Sequence, residues 1–199
     1  VFGQVSKRMT KYISNKLNLD LTKAKELQRD YFHKYNTSLN GLMIHHDIPP
    51  EEFLEYVHDI DLSFMEKDLV LRNELENINL NKFVFTNGSR AHVKNIVKTL
   101  GIEDQFKDIF DIVDAKYHPK PAAKAFDLMV DKFKINPKET LYIEDIAKNL
   151  SIGKERGTIT AWLINNEYWG KKESDKDYID YKIENLSLFL KEIRLLKNS

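Results

Sequence analysis

The stretch 82–89, Lys-Phe-Val-Phe-Thr-Asn-Gly-Ser, most constrains what this chain can fold into. Phe83–Phe85 form an apolar, partly β-branched run, which predicts a central parallel strand covered on both faces. The polar residues Thr86–Gly88 end that run. Apolar residues recur at helical spacing over 93–100, and Gly101 stands where a helix C-terminus favours a left-handed residue. The turn thus places hydroxyl, amide and backbone N–H groups at a helix N-terminus, so we interpret it as a seat for a phosphate or carboxylate.

The chain divides into a helical first part and an alternating second part. Residues to about 76 carry helical apolar stripes, with Asp20 at an N-cap and Pro50 opening a further helix. From Lys82 onward strand patterns alternate with helix patterns, which is typical of a parallel sheet. The predicted strands lie at 82–85, 109–113, 140–143, 160–164 and, at an edge, 181–183. We therefore predict an α/β protein with a three-layer Rossmann-like parallel-sheet core at 79–199 and a helical cap at 1–78.

Composition excludes several classes of protein. The 199 residues include no cysteine, which rules out disulfides, thiolate zinc sites and cysteine nucleophiles. The 31 basic residues balance 31 acidic ones, which argues against a nucleic-acid partner. No apolar run approaches the roughly 18 residues of a membrane span, and no signal peptide is evident. We expect a cytoplasmic protein without a membrane partner, either a monomer or a homodimer.

Three polar features follow successive strand patterns: Thr86-Asn87, Lys120 between two prolines, and Glu144-Asp145. A lysine held in a stiff loop suits a phosphate or carboxylate, and adjacent carboxylates suit Mg²⁺. Each feature also has a simpler interpretation. These are a plain strand-to-helix turn, a solvated surface lysine, and acids that cap a helix N-terminus. The shared position at strand ends favours a site for a phosphate ester with a metal.

The order of these motifs resembles the haloacid dehalogenase-like hydrolase superfamily. Phe85–Ser89 is similar to its second motif, His118–Pro121 to its third, and Ile143–Asp145 with Asn149 to its fourth. The helical front is similar to a cap inserted between the first and second motifs. Three further stretches, 35–42, 56–61 and 144–150, resemble the pyrimidine 5′-nucleotidase branch.

This resemblance implies a phosphatase that forms an aspartyl-phosphate intermediate. Thr86, with the backbone N–H groups of Asn87 and Gly88, would bind the phosphoryl group. Lys120 would neutralise charge on the nucleophile and the phosphoryl group. For the metal, Mg²⁺, the implied ligands are Asp145 and, directly or through water, Glu144. Asn149 would support that loop.

The first family motif, Asp-x-Asp on the central strand, has no counterpart in residues 1–35. The triplet Asp59-Ile60-Asp61 matches the Asp-x-Asp pattern but lies within the predicted cap, so we do not accept it as a substitute for the first motif. We expect a gap in the sheet between the strands that begin near Lys82 and Thr140. Either the natural protein continues upstream of Val1, or the chain is a degenerate or rearranged member. In both cases we expect residues 1–199 alone to be catalytically inactive.

The cap should choose the substrate, and Thr37, Ser38 and Asn40 are the residues that we predict near the leaving group. The resulting hypothesis is a Mg²⁺-dependent phosphatase acting on a small phosphate monoester, foremost a pyrimidine nucleoside 5′-monophosphate. The alternative is an inactive relative that binds a ligand or partner. A dehalogenase on the same fold is disfavoured by the acidic pair. We interpret His45, His46 and His58 as surface or cap-packing residues, since their spacing is poor for a metal.

Overall fold

The computed structural model describes residues 1–165 and 167–197. The first part of the chain is helical, as predicted. Its helices are α1 (Phe2–Leu17), α2 (Leu21–Tyr35), α3 (Ser38–His46), α4 (Pro50–His58) and α5 (Leu69–Asn77). Across the described residues, no helix combines the length and the apolar character that crossing a membrane requires.

The second part alternates strands and helices. Its strands are β1 (Phe83–Phe85), β2 (Asp108–Phe110), β3 (Leu141–Glu144), β4 (Ile159–Leu163) and β5 (Tyr181–Ile183). Its helices are α6 (Arg90–Thr99), α7 (Ala123–Phe133), α8 (Leu150–Glu155), α9 (Tyr168–Lys171) and α10 (Leu186–Lys197). Short 3₁₀ turns precede β2, β3 and α8. The α/β class predicted from the sequence is confirmed.

Local signals set several helix ends where the sequence predicted them. The side chain of Asp20 accepts a hydrogen bond from the backbone N–H of Lys23 and so caps α2. Pro50 is the first residue of α4, where its missing N–H is not needed. After α6, Gly101 adopts a φ of 72°, a left-handed conformation that suits a residue without Cβ.

The five strands form two separate parallel sheets in the described part of the chain. One has the order β1-β2 and the other β3-β4-β5. The break predicted between the Lys82 and Thr140 strands is therefore observed. The prediction of a fully covered β1 is wrong, since its three residues are all only partly buried. Within the described residues, β1 pairs with β2 alone, so it lacks the second neighbour of a central strand.

Strand β2 ends earlier than predicted, at Phe110 instead of Val113. The reason is the buried side chain of Asp111, which is 5% exposed. Its carboxylate accepts hydrogen bonds from the backbone N–H groups of Val113 and Asp114, and from that of Arg90 at the start of α6. These bonds turn the chain away from the strand and tie the turn to α6.

Three apolar clusters hold the molecule together. Helices α1–α4 enclose the first, around fully buried residues such as Ile13, Leu42 and Val57. The second extends from the sheet β1-β2 to the sheet β3-β4-β5 and α7, with Phe110 and Phe126 among its fully buried members. The third joins Leu75 of α5 to Leu190 of α10. Helix α5 thus packs against the second part of the chain, and the domain boundary near residue 78 stays a prediction.

Candidate active site

The turn after β1 lies at the N-terminus of α6 and is held by hydrogen bonds. The N–H of Thr86 donates to the carbonyl oxygen of Phe110 at 2.9 Å, which continues the parallel pairing by one residue. The N–H of Gly88 donates to Thr86 Oγ1 at 2.9 Å. Ser89 caps the helix by accepting the N–H of His92 at 3.3 Å. The turn therefore sits at the positive end of the α6 dipole.

Lys120 joins this turn to the other sheet. Its backbone N–H donates to Asn87 Oδ1 at 2.8 Å, which links the second and third candidate motifs. Its side-chain Nζ donates to the carbonyl oxygen of Phe85 at 2.8 Å and forms an ion pair with Glu144. Phe85 ends β1 and Glu144 ends β3, so this lysine bridges the two sheets. Lys120 is only 6% exposed and is not a solvated surface lysine.

Glu144 is held by a second partner that the sequence did not reveal. The hydroxyl of Tyr142, two residues earlier on β3, donates to Glu144 Oε1 at 2.9 Å. Burial, followed by the negative charge of Glu144, raises the pKa of Tyr142 well above its ordinary value, so the hydroxyl keeps its proton and acts as a donor. Alternation along β3 places residues 142 and 144 on one face. This alternation is the sequence feature from which the contact between Tyr142 and Glu144 could have been predicted.

Asp145 presents a carboxylate beside that of Glu144. Burial, followed by the charge of Glu144, raises the pKa of Asp145 to about 6, while Lys120 opposes this shift. Asp145 itself is exposed to solvent. Its backbone carbonyl accepts hydrogen bonds from Trp162 Nε1 at 3.1 Å and Asn165 Nδ2 at 2.7 Å. These bonds fix the loop after β3.

This electrostatic arrangement fits a divalent cation. Burial and then the charge of Glu144 raise the pKa of Asp145, and a bound cation would offset both by favouring the ionised carboxylate. Across residues 1–165 and 167–197, no cluster of three or more His, Asp or Glu has a metal-binding arrangement. Mg²⁺ usually keeps several waters and takes one or two protein carboxylates, which is the donor set that an acidic pair would offer. Glu144 is engaged by Lys120 and Tyr142, so Asp145 is the better direct ligand.

The three cap residues predicted near the leaving group are engaged inside the cap. Thr37 Oγ1 accepts the N–H of Asn40 and caps α3. Ser38, only 4% exposed, donates to the carbonyl oxygen of Gln28 at 2.8 Å. Asn40 donates through Nδ2 to the carbonyl oxygen of Tyr35 at 3.1 Å. These contacts account for all three residues without a ligand, so their substrate role stays a prediction.

A different cap residue reaches the second part of the chain. Asn36 follows α2 in a left-handed conformation, with φ of 67°, and its Oδ1 accepts a hydrogen bond from Lys148 Nζ at 2.8 Å. A small cleft opens around this contact. It is lined by residues of α2, of the loop after β3 and of α9, namely Phe32, His33, Asn36, Ile146, Lys148, Asn149, Trp169 and Lys172. Asn149, 4% exposed, belongs to both this cleft and the fourth candidate motif.

The Asp-x-Asp letters at 59–61 do not form part of the site. Asp59 is mostly exposed and forms an ion pair with Arg8 at 2.9 Å. Asp61 is exposed and accepts the N–H of Ser63 at 2.8 Å. Both carboxylates thus have partners on the cap surface, which supports the decision not to take them as the nucleophile and general acid.

His58, by contrast, leaves the cap interior and reaches the turn after β1. Its Nδ1 lies 2.9 Å from Ser89 Oγ, and its ring stacks on that of His92 with centroids 4.1 Å apart. The interpretation of His58 as only a surface or cap-packing residue is therefore wrong. The sequence carried no local signal, since 31 residues separate His58 from Ser89.

The chain is similar to known proteins in sequence and in fold. Residues 19–157 match the family model for haloacid dehalogenase-like hydrolases. D-ribitol-5-phosphate phosphatase from Bacteroides thetaiotaomicron is 28% identical over 168 residues, which cover 81% of this chain and 78% of that protein.

Two solved structures share the fold. A HAD phosphatase from Thermococcus onnurineus aligns with a TM-score of 0.60 and 18% identity, covering 98% of this chain and 89% of that one. The HAD hydrolase YfnB from Bacillus subtilis, solved with bound magnesium, aligns with a TM-score of 0.58 and 17% identity, covering 100% and 93%.

The relatives support a phosphatase of one family and leave its substrate open. The family match covers well over half of the residues, and it includes the turn after β1, Lys120 and the acidic pair. The chain belongs to the haloacid dehalogenase-like hydrolase family.

Proposed function

We propose that this protein is a Mg²⁺-dependent phosphatase of the family that hydrolyses a small phosphate monoester. The observation that carries the proposal is the chain of contacts from Asn87 through Lys120 to Glu144, next to Asp145. It brings an anion seat, a buried cation and an acidic pair to one edge of the fold. These three features together fit a phosphate ester bound with a metal ion better than they fit an anion alone or a metal ion alone.

Each residue of the site has a distinct proposed role. The hydroxyl of Thr86 and the N–H of Asn87 are the donors that we assign to the phosphoryl oxygens, because the N–H of Gly88 is engaged by Thr86 Oγ1. Lys120 neutralises negative charge that develops as the phosphoryl group transfers. Asp145 would hold Mg²⁺, with Glu144 as a second ligand either directly or through water, and Asn149 would support this loop. When bound, Mg²⁺ screens the phosphoryl charge and orients the group.

The leaving group would enter beside the cleft around Asn36 and Lys148, which as it stands has room for about one water molecule. The cleft lies between the cap and the loop after β3, and it combines amide and ammonium donors with the aromatic faces of Phe32 and Trp169. Donors of this kind suit a leaving group rich in hydroxyl or carbonyl oxygens. A pyrimidine nucleoside 5′-monophosphate meets this description, and so does a pentitol phosphate of the type named for the Bacteroides relative.

The nucleophilic aspartate is not assigned to any residue of 1–199. We therefore propose that a protein of these residues alone binds phosphate without hydrolysing esters. In this form Lys120 pairs with Glu144, with side chains 8% and 5% exposed, so its charge is balanced without a nucleophilic aspartate.

The test combines binding and turnover in the 199-residue protein. Calorimetry with inorganic phosphate and Mg²⁺ should detect binding that Thr86→Ala weakens and that Lys120→Met/Glu144→Gln, which leaves no buried charge unpaired, abolishes. Absence of phosphate binding would refute the phosphatase proposal. A phosphate-release panel should include cytidine and uridine 5′-monophosphates and ribitol 5-phosphate. Turnover that disappears in Lys120→Ala would refute inactivity while supporting the phosphatase.

An intact mass and N-terminal peptide map of the protein from its own source complete the test. An upstream apolar strand that ends in Asp-x-Asp would supply the unassigned nucleophile. The substrate panel would then be repeated on that longer form, where the preferred ester separates the nucleotide hypothesis from the pentitol hypothesis.

A further inference from the structure

His58 is the last residue of α4, yet its ring lies over the turn after β1. An ideal Cβ placed on Gly88 would lie 3.5 Å from His58 Nε2 and 3.3 Å from Thr86 Oγ1. The imidazole nitrogen and the threonine hydroxyl therefore lie on the same side of Gly88, close enough for one phosphate group to contact both. No residue assigned to phosphate binding above comes from the cap.

The hydrogen bonds around Ser89 decide which ring nitrogen carries the proton. Ser89 Oγ already accepts the backbone N–H of His92. Its own hydroxyl proton needs an acceptor, and in the described part of the chain the partner in reach is His58 Nδ1, at 2.9 Å. If the hydroxyl donates to Nδ1, the neutral ring carries its proton on Nε2. The nitrogen that carries this N–H lies on the same side of Gly88 as Thr86 Oγ1.

Burial keeps this ring neutral, and the stack on His92 orients it. The two imidazoles are nearly parallel, with an interplanar angle of 13°. Burial, followed by the proximity of His92, lowers the pKa of His58 to about 3. Burial, followed by the charge of the N-terminal amino group, also lowers the pKa of His92. A ring that stays neutral at physiological pH offers one fixed N–H donor instead of a mobile charge.

We infer that His58 is a phosphate-binding residue, which donates a hydrogen bond from Nε2–H to the anion seated on the Thr86–Gly88 turn and thereby makes the cap complete the site. This inference rests on the function proposed above. Ser89 and His92 act as positioning residues, since they set the tautomer and the plane of the ring without touching the anion.

The experiment measures the affinity of the 199-residue protein for inorganic phosphate with Mg²⁺ present. His58→Phe keeps an aromatic ring for the stack and removes the donor, so we expect about a tenfold loss of affinity, as for a hydrogen bond to a charged group. His58→Gln places an amide N–H near the Nε2 position and should restore most of it. His46→Phe is the matched control, because His46 is also partly buried and hydrogen-bonded, but to Tyr31 inside the cap. Its affinity should stay within twofold of the original.

Nitrogen NMR of the unmutated protein tests the same point without a variant. We expect the neutral Nε2–H tautomer of His58 at pH 7 and a shift of its Nε2 signal on adding phosphate. An Nδ1–H tautomer, or His58→Phe binding phosphate like the unmutated protein, would overturn the inference. If Thr86→Ala still loses phosphate binding in that case, the proposed function survives alone. Absence of phosphate binding by the unmutated protein would overturn both.

Discussion

The interior of the cap and the junction between the two sheets are about equally closed to water, but different chemistry closes them. In the cap, Leu42 and Val57 have no exposed surface and contact other apolar side chains. At the junction, Lys120 and Glu144 are 6% and 7% exposed and contact each other, Tyr142 and a backbone carbonyl. The cap interior depends on apolar area removed from water, whereas the junction adds the polar pairing of Lys120 and Glu144 to the aromatic packing between the two sheets.

This difference predicts how each region fails. Removing a methylene from the cap loses contacts in proportion to the cavity that remains. Removing one partner at the junction leaves the other as a buried, uncompensated charge, which costs more than the pair itself contributed. The junction should therefore recover when both partners are replaced, and the cap should not.

The largest expected effect is at the junction. Lys120→Met leaves Glu144 unpaired in a buried site, and we expect a loss of about 3–5 kcal/mol in the free energy of unfolding, measured by urea denaturation. The double variant Lys120→Met/Glu144→Gln should recover at least half of this loss, because the neutral amide can still accept from Tyr142. Lys124→Met, at an exposed lysine of α7, is the control and should change stability by less than about 0.5 kcal/mol. A loss below about 1 kcal/mol for Lys120→Met would show that water reaches the junction.

An intermediate effect is expected in the cap. Leu42→Ala should reduce the free energy of unfolding by about 3 kcal/mol, because the side chain has no exposed surface and its cavity cannot fully collapse. Ile44→Ala on the same helix is the control, since Ile44 is 56% exposed. Equal losses at the two positions would mean that α3 is less firmly packed than the structure indicates. Both values come from the same denaturation series.

The smallest effect is a pH dependence next to the junction. The pKa of Asp145 in the folded protein, about 6, lies above its ordinary value of 3.8. The folded state thus binds this proton more tightly, so Asp145 stabilises folding below about pH 4 and loses that contribution as the pH rises through 6. Asp145→Asn removes the titration. Without metal, its stability relative to the unmutated protein should rise between pH 4 and 7 by about 1 kcal/mol, a value reduced for solvent screening.

The control for this trend is Asp131→Asn, because the side chain of Asp131 is 83% exposed. Its stability difference from the unmutated protein should stay nearly flat over the same pH range. A flat difference for Asp145→Asn as well would contradict the close placement of the two carboxyl groups. Urea titrations at fixed ionic strength, with a chelator present, measure both series.

Much of the fold was predictable because its signals are local. The N-cap at Asp20, the proline start of α4 and the left-handed Gly101 each depend on a few neighbouring residues. The break in the sheet was also predictable, since it follows from the absence of a strand pattern before the cap. The early end of β2 was not, because it depends on Asp111 bonding to the start of α6, 21 residues away in sequence.

The candidate site shows the same division. Thr86, Lys120 and Asp145 were identified from motif order and strand ends. Three hydrogen bonds around those motifs were not predicted. They join Tyr142 to Glu144, Lys148 to Asn36, and His58 to Ser89. The last two pairs span 112 and 31 residues, and no periodic pattern links positions so far apart.

The sequence by itself determined the class of fold, the family resemblance and the strand ends that carry the chemistry. Hydrophobic period, capping residues and turn residues act over a few positions, and they can be recognised in the letters alone. Only the tertiary structure decided that Lys120 bridges two sheets, that Thr37, Ser38 and Asn40 are engaged within the cap, and that His58 faces the turn after β1. Those facts depend on how distant segments pack, and packing geometry is a property of the whole chain.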